Sequence, residues 1–434
     1  MSIGLTTVIL FAVFGILLFL SCPISVSIVI ASIVTAVSSL SWDQITFITM
    51  QKMNSGVESF SLLAIPLFIL AGNIMNNGGI AIRLVNCARL ISGRLPGSLA
   101  QTNIVANMLF GAISGSGTAA AAAIGGTMAP IELEEGYDKD YVAAVNIASA
   151  PTGQLIPPSN TLIVYATVAG SVSVAALFMA GYIPGIAWGI SLMFIAGYMA
   201  KKRGYVSTFS VTPKEAIKVL WDALPSLLLI IIVIGGILKG VFTATEGSAI
   251  AVVYALILSL CYRSLKIKDL PSIILSSCKT TCIVIFMIGV SSIMSWVMAY
   301  TMIPTAIANA MLSLSSNKYV ILLLMNVILL VVGTFMDPTP AVLIFTPIFL
   351  PICQSFGMDP VQFGIMIVFN LCIGTITPPV GVILFTGCKV VGISIEGVIK
   401  TLLPFFAAIA VVLLLVTYVP AMSMWIPSML GLVK

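Results

Sequence analysis

Charge disappears from this chain over seven long stretches, residues 1–42, 59–82, 95–131, 141–200, 280–317, 360–388 and 401–433. Each exceeds the roughly 20 apolar residues that cross a bilayer as a helix, so the pattern predicts an all-α polytopic membrane protein with about ten crossings. Two further apolar segments do not read as simple spans. Residues 3–20 lack the basic start and small-residue cleavage site of a signal peptide, and Pro23 leads straight into a second apolar helix, so a retained span is expected. Other spans are expected at 24–40, 60–75 with an interruption at Pro66, 173–199, 218–239, 247–262, 280–300 and 402–419. Residues 41–58, with Trp42 beside Asp43, read as interfacial. Residues 80–97, where Arg83, Arg89 and Arg94 recur among apolar positions, read as a basic amphipathic helix at the membrane surface.

The two odd segments say nearly the same thing. GAISGSGT at 111–118 is followed by GQLIPPSN at 153–160, and GTFMDPTP at 333–340 is followed by GTITPPVG at 374–381. The offset from glycine to paired prolines nearly repeats, from Gly111 to Pro157 and from Gly333 to Pro378. Each mid-helix glycine costs about 1 kcal/mol against alanine, so neither glycine-rich string suits a continuous helix. A re-entrant hairpin turning at each string, followed by a helix broken at each Pro-Pro, fits better. Matched broken segments in two halves of a membrane chain point to the binding site of a secondary transporter. As kinks or packing glycines alone, one such pair would be unremarkable in a membrane helix; two matched pairs are not.

Composition narrows the chemistry. The chain has 434 residues, 60% hydrophobic and 8% charged, too few charges to cover a soluble surface of this size. Lys201, Lys202 and Arg203 close a span and mark the cytoplasmic side. Counting from them puts Arg83, Arg89, Arg94, Lys139, Arg263, Lys266, Lys268, Lys389 and Lys400 on that side as well, and both termini outside. The first hairpin then opens to the cytoplasm and the second away from it, in inverted topology. The net charge of +5 reflects these loops rather than a nucleic-acid surface. There is no histidine and no CxxC among the eight cysteines, which leaves no usual zinc or haem site.

Backbone unwound at membrane depth is tolerated only where it lines a cavity or holds an ion. Half-helix C-terminal carbonyls with Ser and Thr hydroxyls suit a small monovalent cation such as sodium, and half-helix N-terminal amides suit a substrate carboxylate. Asp337, the one acid within the second hairpin, is either a functional carboxylate or a cap at the tip; the acid-free first tip favours the cap. Lys239 and Glu246 flank FTAT between two spans and read as a local ion pair or a hairpin cap.

LPGSLAQTNIVANMLFGAISGSGTAAAAAIGG at 95–126, GYDKDYVAAVN at 136–146, GQLIPPSN, AGYIPG at 180–185, GVFTATEGSA at 240–249 and GTITPPVG together resemble one family. It is the large membrane (M, DctM-like) subunit of tripartite ATP-independent periplasmic (TRAP) transporters, and the resemblance runs from about residue 40 onward. It implies a fold of the ion transporter superfamily and an elevator-type, sodium-driven import of an organic acid, such as a C4-dicarboxylate or sialic acid, across the bacterial inner membrane. A small four-helix membrane subunit, expected as a separate polypeptide, and a periplasmic substrate-binding protein would be partners; no cofactor beyond the coupling sodium is implied. Within one membrane unit, 1–434, scaffold elements would be about 1–80, 173–300 and 401–434, and transport elements about 95–170 and 319–392. By motif, the first sodium site would use Ser114, Gly153, Leu155 and Pro158, and the second Gly333, Gly374, Thr377 and Val380. Substrate would lie near Ser116, Thr118, Asn160 and Thr339.

Other classes are less well supported. An intramembrane enzyme would want a histidine, a paired-aspartate metal motif or GxSxG, and an ATP-driven pump a GxxxxGK[ST], none of which occurs. An anion transporter or channel that needs no binding protein would use the same broken helices to line its path.

Overall fold

The computed structural model of the chain describes residues 3–170, 172–205, 212–315 and 317–433. Among them there is no strand, and twenty α-helices carry the chain. α1 (Ile3–Phe19) and α2 (Ile24–Val37) turn about Pro23, and α3 (Trp42–Val57) opens on a capping box between Ser41 and Gln44. α4 (Ala64–Asn77) and α5 (Ile80–Ser92) follow. Pro66 falls in the first turn of α4, where a backbone N–H would have no intrahelical partner anyway, so it starts this helix instead of interrupting it as expected.

The first half of the core is α6 (Ser98–Ser114), α7 (Gly117–Glu134), α8 (Lys139–Ser149), α9 (Asn160–Ala169) and α10 (Val174–Arg203). α11 (Pro213–Leu238), α12 (Ala244–Cys261), α13 (Leu270–Tyr300) and α14 (Ile303–Leu314) lie between the halves. The second half is α15 (Lys318–Gly333), α16 (Pro338–Ser355), α17 (Pro360–Gly374), α18 (Val382–Val391) and α19 (Ile395–Tyr418), with α20 (Ala421–Met429) after it. Among the described residues seven helices are long and apolar enough to cross a membrane, fewer than the ten or so expected. The shortfall has a physical origin: each broken crossing is made of two helices of 10–15 residues, and α15, α1 and α2 are also short.

The halves are built alike. α6 and α7 form one hairpin and α15 and α16 the other, while α8 with α9, and α17 with α18, are the two broken helices. α19 serves as a ruler for their orientation. Near its start Thr401 donates to Asp140, at the open end of the first hairpin. Near its end Thr417 receives the Asn326 amide at 3.1 Å, midway along the second hairpin, and Tyr418 donates to the Tyr319 carbonyl at 2.9 Å, at the open end of that hairpin. The 16 residues between Thr401 and Thr417 span about 24 Å at 1.5 Å per residue. The hairpins therefore open to opposite ends, as their charges imply.

The halves also exchange helices. α9 packs on α16 of the second hairpin and α18 on α7 of the first, while α10 packs against α17 and α19 against α8. Trp188 of α10 is fully buried, donates to the Ala148 carbonyl at 3.0 Å and meets Phe369 at 4.6 Å between ring centroids. Gly181, Gly185 and Gly189, four residues apart, make a groove on α10 that receives the Leu155 carbonyl, Ile156 and Met108. α10, α19 and α20 surround the broken helices, whereas α11 to α13 pack with α2 to α5, and α13 also with α16.

Two surface nodes gather residues expected on the cytoplasmic side. Arg203 reaches Asp138 at 2.8 Å and Asp140 at 2.7 Å, joining the end of α10 to the start of α8. Arg83 pairs with Asp222 at 3.2 Å and lies 3.5 Å from the centre of the Tyr262 ring, tying α5 to α11 and α12. Glu246 accepts from the Thr243 amide at 2.8 Å and hydroxyl at 2.9 Å; it is a helix cap, and among the described residues no ion pair joins it to Lys239.

Within each half, hairpin and broken helix cross at a pair of glycines. A Cβ added to Gly153 would lie 2.1 Å from the Gly111 Cα, and one added to Gly374 would lie 2.3 Å from the Gly333 carbonyl carbon. Gly153→Ala and Gly374→Ala are each expected to lose most of the folded, monodisperse protein. Gly126→Ala, at a helical glycine with nothing within 4 Å, should be neutral or stabilise by about 0.4–1 kcal/mol. Thermal unfolding of the purified variants checks this; wild-type melting of Gly153→Ala would show that the crossing is looser than described.

Candidate functional site

The first hairpin ends because α6 runs into Gly115, whose φ of +63° is the left-handed cap that glycine adopts without penalty. Ser116 then starts α7, accepting from the Ala119 amide at 3.3 Å, with the Thr118 hydroxyl 3.1 Å away. Opposite this tip the chain leaves α8 through a short 3-10 turn, Ala150–Gln154, and crosses Leu155 to Ser159 without regular structure before α9 begins. Ser159 holds the break from both sides: its hydroxyl donates to the Gln154 carbonyl and accepts from the Leu162 amide at 3.4 Å. A Cβ on Gly115 would meet the Pro158 carbonyl oxygen at 3.2 Å and the Asn160 amide nitrogen at 3.3 Å, so tip and break are in contact.

Of the residues expected at the first sodium site, Ser114, Gly153, Leu155 and Pro158 are all buried at this meeting of tip and break. The Ser114 hydroxyl lies 3.5 Å from the Ser116 carbonyl, which leaves its lone pairs available. The Leu155 carbonyl oxygen lies 2.3 Å from where a Cβ on Gly181 of α10 would sit, and the Pro158 carbonyl approaches Gly115. At the second site Gly333 and Gly374 cross, and the Thr377 hydroxyl donates to the Ile373 carbonyl at 2.7 Å. Val380 is exposed beyond it. The carbonyls of Thr375 and Thr377 crowd Gly381, within 3.1 and 2.9 Å of where its Cβ would lie. The Gly381 amide reaches the Thr334 carbonyl at 3.3 Å, tying this break to its hairpin tip. Thr334, Thr375 and Gly381 are thus additional backbone members of the second unit; each stands inside or beside the glycine- and threonine-rich motifs, which is the only sequence signal they carry.

The two units touch. The Cys372 thiol donates to Gln154 Oε1 at 3.1 Å, and a Cβ on Gly117 would sit 2.5 Å from Ile383 Cδ1, so the first tip rests on the start of α18. Ser116, Thr118 and Asn160 of the expected substrate group are together beside Gly115, all partly accessible, and Asn160 Oδ1 has no partner in the structure. Thr339 belongs to the other tip, where its amide donates to Asp337 at 3.4 Å. Asp337 is therefore the N-cap of α16, the tip-stabilising role of the two read from sequence. Four helices, α7, α9, α16 and α18, begin at tips or breaks, so the positive ends of their dipoles gather here without any arginine or lysine.

Sequence reasoning missed a buried amide network under each crossing. Asn107 Nδ2 meets Asn103 at 2.8 Å, Ser149 at 2.9 Å and Asn146 at 3.2 Å, joining both arms of the first unit. Asn370 Nδ2 meets the Asn326 side chain at 2.7 Å in the second. Asparagines inside charge-free helices, at turn spacing in one half and facing each other across the repeat, were the available sign.

Residues 11–422 match the family described as "Tripartite ATP-independent periplasmic transporter, DctM component". The chain is 52% identical over 422 residues to the protein YgiK of Salmonella typhimurium, covering 97% of each. It is 40% identical over 421 residues to the isethionate TRAP transporter permease protein DctMQ of Oleidesulfovibrio alaskensis, covering 96% of this chain and 66% of that one. To the C4-dicarboxylate TRAP transporter large permease protein DctM of Pseudomonas aeruginosa it is 37% identical over 382 residues, 88% of this chain and 89% of that one. In fold it is similar to the crystal structure of the Alcanivorax borkumensis YdaH transporter, with a TM-score of 0.62 at 14% identity over 87% of this chain and 89% of that one. A chain with this family match, these relatives and these paired broken helices belongs to the large permease subunits of tripartite ATP-independent periplasmic transporters, multi-pass proteins of the bacterial inner membrane and not enzymes.

Proposed function

We propose that this permease imports an organic acid driven by sodium, through an elevator movement of the interlocked halves, together with a small membrane subunit and a periplasmic substrate-binding protein. The observation that carries the reading is the doubled unit: a hairpin tip crossing a broken helix at a glycine pair, present twice in opposite orientation and joined at Gln154 and Cys372. Each unit offers carbonyl and hydroxyl oxygens, the hard donors that a small cation takes, with no buried carboxylate needed. Ser114, Gly153, Leu155 and Pro158 would serve one sodium, and Gly333, Gly374, Thr377 and Val380 the other. The substrate anion would be met by Ser116, Thr118, Asn160 and Thr339 and by the helix N-termini. Helix starts supply diffuse positive potential suited to a carboxylate or, as the isethionate relative's name suggests, a sulfonate. The moving body on this reading is α6 to α10 with α15 to α20, since these pack on one another more than on α11 to α13.

Uptake into proteoliposomes holding the membrane complex, with its cognate binding protein outside, tests the reading. Import should require sodium, and equal rates in potassium would remove sodium coupling; flux without the binding protein would favour an independent anion transporter or channel. Ser114→Ala and Thr377→Ala should each raise the sodium concentration for half-maximal uptake by about tenfold, the effect of about 1.4 kcal/mol, at unchanged expression. Asp337→Asn, which keeps the cap, should retain uptake, while Asp337→Ala should lower stability by about 0.5–2 kcal/mol; loss of uptake in the asparagine variant would give the carboxylate a direct part in ion or substrate binding.

A further inference from the structure

Glu132 ends the second arm of the first hairpin and is fully buried, and no part of the transport reading uses it. Its two oxygens share one donor, the Asn103 amide, at 3.4 Å each. Among the described residues it forms no ion pair, and no cluster able to hold a metal includes it. Counted from the helix caps Ser116 and Asp337, the matching position in the second hairpin is Cys353, which is buried but not an acid, so the carboxyl is a departure from the repeat.

A buried carboxylate left unpaired is among the most unfavourable arrangements a protein interior can hold, and it is relieved by a cation or by a proton. Geometry separates these. Among the described residues a single neutral donor, the Asn103 amide, is shared between both oxygens at 3.4 Å, so no close hydrogen bond compensates a charge there. A metal ion would need several oxygens converging on it, and Asn103 Oδ1 is already engaged by Asn107 at 2.8 Å. Among the described residues no salt bridge brings Glu132 a counter-charge. α6 carries no ionisable side chain and neither does the 3-10 turn 150–154. From the loop and α8 the phenols of Tyr137 and Tyr141 face Glu132 closely enough to sense its charge. Asp140 is held by Arg203, and Arg83 of α5 is held by Asp222. Among the described residues Lys139 of α8 and Lys389 of α18 form no ion pair with it; α5 also carries Cys87 and Arg89, and its own helix adds Glu134.

We propose that Glu132 is a proton-binding site of the hairpin, holding one proton while the open end of the hairpin is closed over it and releasing that proton to cytoplasmic water when the end is hydrated. The proton moves between a carboxylic acid and water, with no other group changed. Asn103 connects the site through Asn107 and Ser149 to Thr152, whose carbonyl receives the Ile156 amide at 2.9 Å inside the first break. Ionisation at Glu132 therefore pulls on the same strand of side chains that supports the break. The inference rests on the hairpin's place in the permease but not on sodium coupling.

Linkage sets the sign. The folded state binds this proton more readily than the unfolded chain, so stability is highest in acid and falls as pH rises through the range where the folded carboxyl ionises. Thermal unfolding of the purified membrane complex from mildly acid to mildly alkaline pH, at fixed sodium, should show the wild-type melting temperature declining. Glu132→Gln should melt at a nearly constant temperature, no lower than wild type in acid, with Glu132→Met as a second neutral variant should the first fold poorly. A parallel pH decline in both variants, or melting of both well below wild type in acid, overturns the proposal. So does a rise in melting temperature with sodium that wild type shows and both variants lose, since that would make the site a metal-ion site. Because unfolding is read without transport, failure here and failure of sodium-driven uptake are distinguishable.

Discussion

Everything in this protein follows from having to interrupt helices where no water can satisfy the exposed backbone. Each free amide or carbonyl in hydrocarbon costs several kcal/mol, so a break must be pressed against something that supplies partners. Here the pressing is done by glycine pairs, Gly111 on Gly153 and Gly333 on Gly374, which let two backbones approach to contact. Once the backbones touch, the remaining groups are reached by the Ser159 side chain across the first break and by the backbone carbonyls of Thr334 and Thr375, which receive amides across the second. Function on the proposed reading uses the oxygens that this arrangement leaves over.

The same constraint explains why the halves exchange helices. A half-length helix such as α9 or α18 cannot bury its own sides, and the neighbour that covers each belongs to the other repeat. The cover is close: Tyr165 of α9 lies against Gly364 of α17 and donates to the Pro360 carbonyl, and Gly387 of α18 lies against Ile147 of α8. Two sequences that look like independent duplicates are therefore one folding body.

Much of this was legible from residues alone, because glycine, proline and charge each carry a fixed meaning in a membrane. Paired prolines marked the breaks, the flanking glycine strings marked the tips, and the lysines and arginines gave opposite orientations that α19 reproduces between Thr401 and Thr417. What was not legible depends on which face meets which. α10 and α19 have the hydropathy of any span, and nothing in their composition alone says that Trp188 goes into the core instead of toward lipid. The Leu155 carbonyl turned to Gly181 is likewise a matter of backbone direction, invisible in a motif. Glu132 stands in the charge-dense stretch IELEEGYDKD, and charge density does not show the helix end that carries it inward.

The reciprocal covering of α8 by α19 and of α17 by α10 has a consequence for how the protein is made. A ribosome delivers the first broken helix long before the helix that shields it, so the first hairpin and its break must wait in the bilayer with one side unoccupied until residues 395–418 arrive. The last helices are thus the closing pieces of biogenesis: α19 covers both α8 and α17, and α20 after it covers α10.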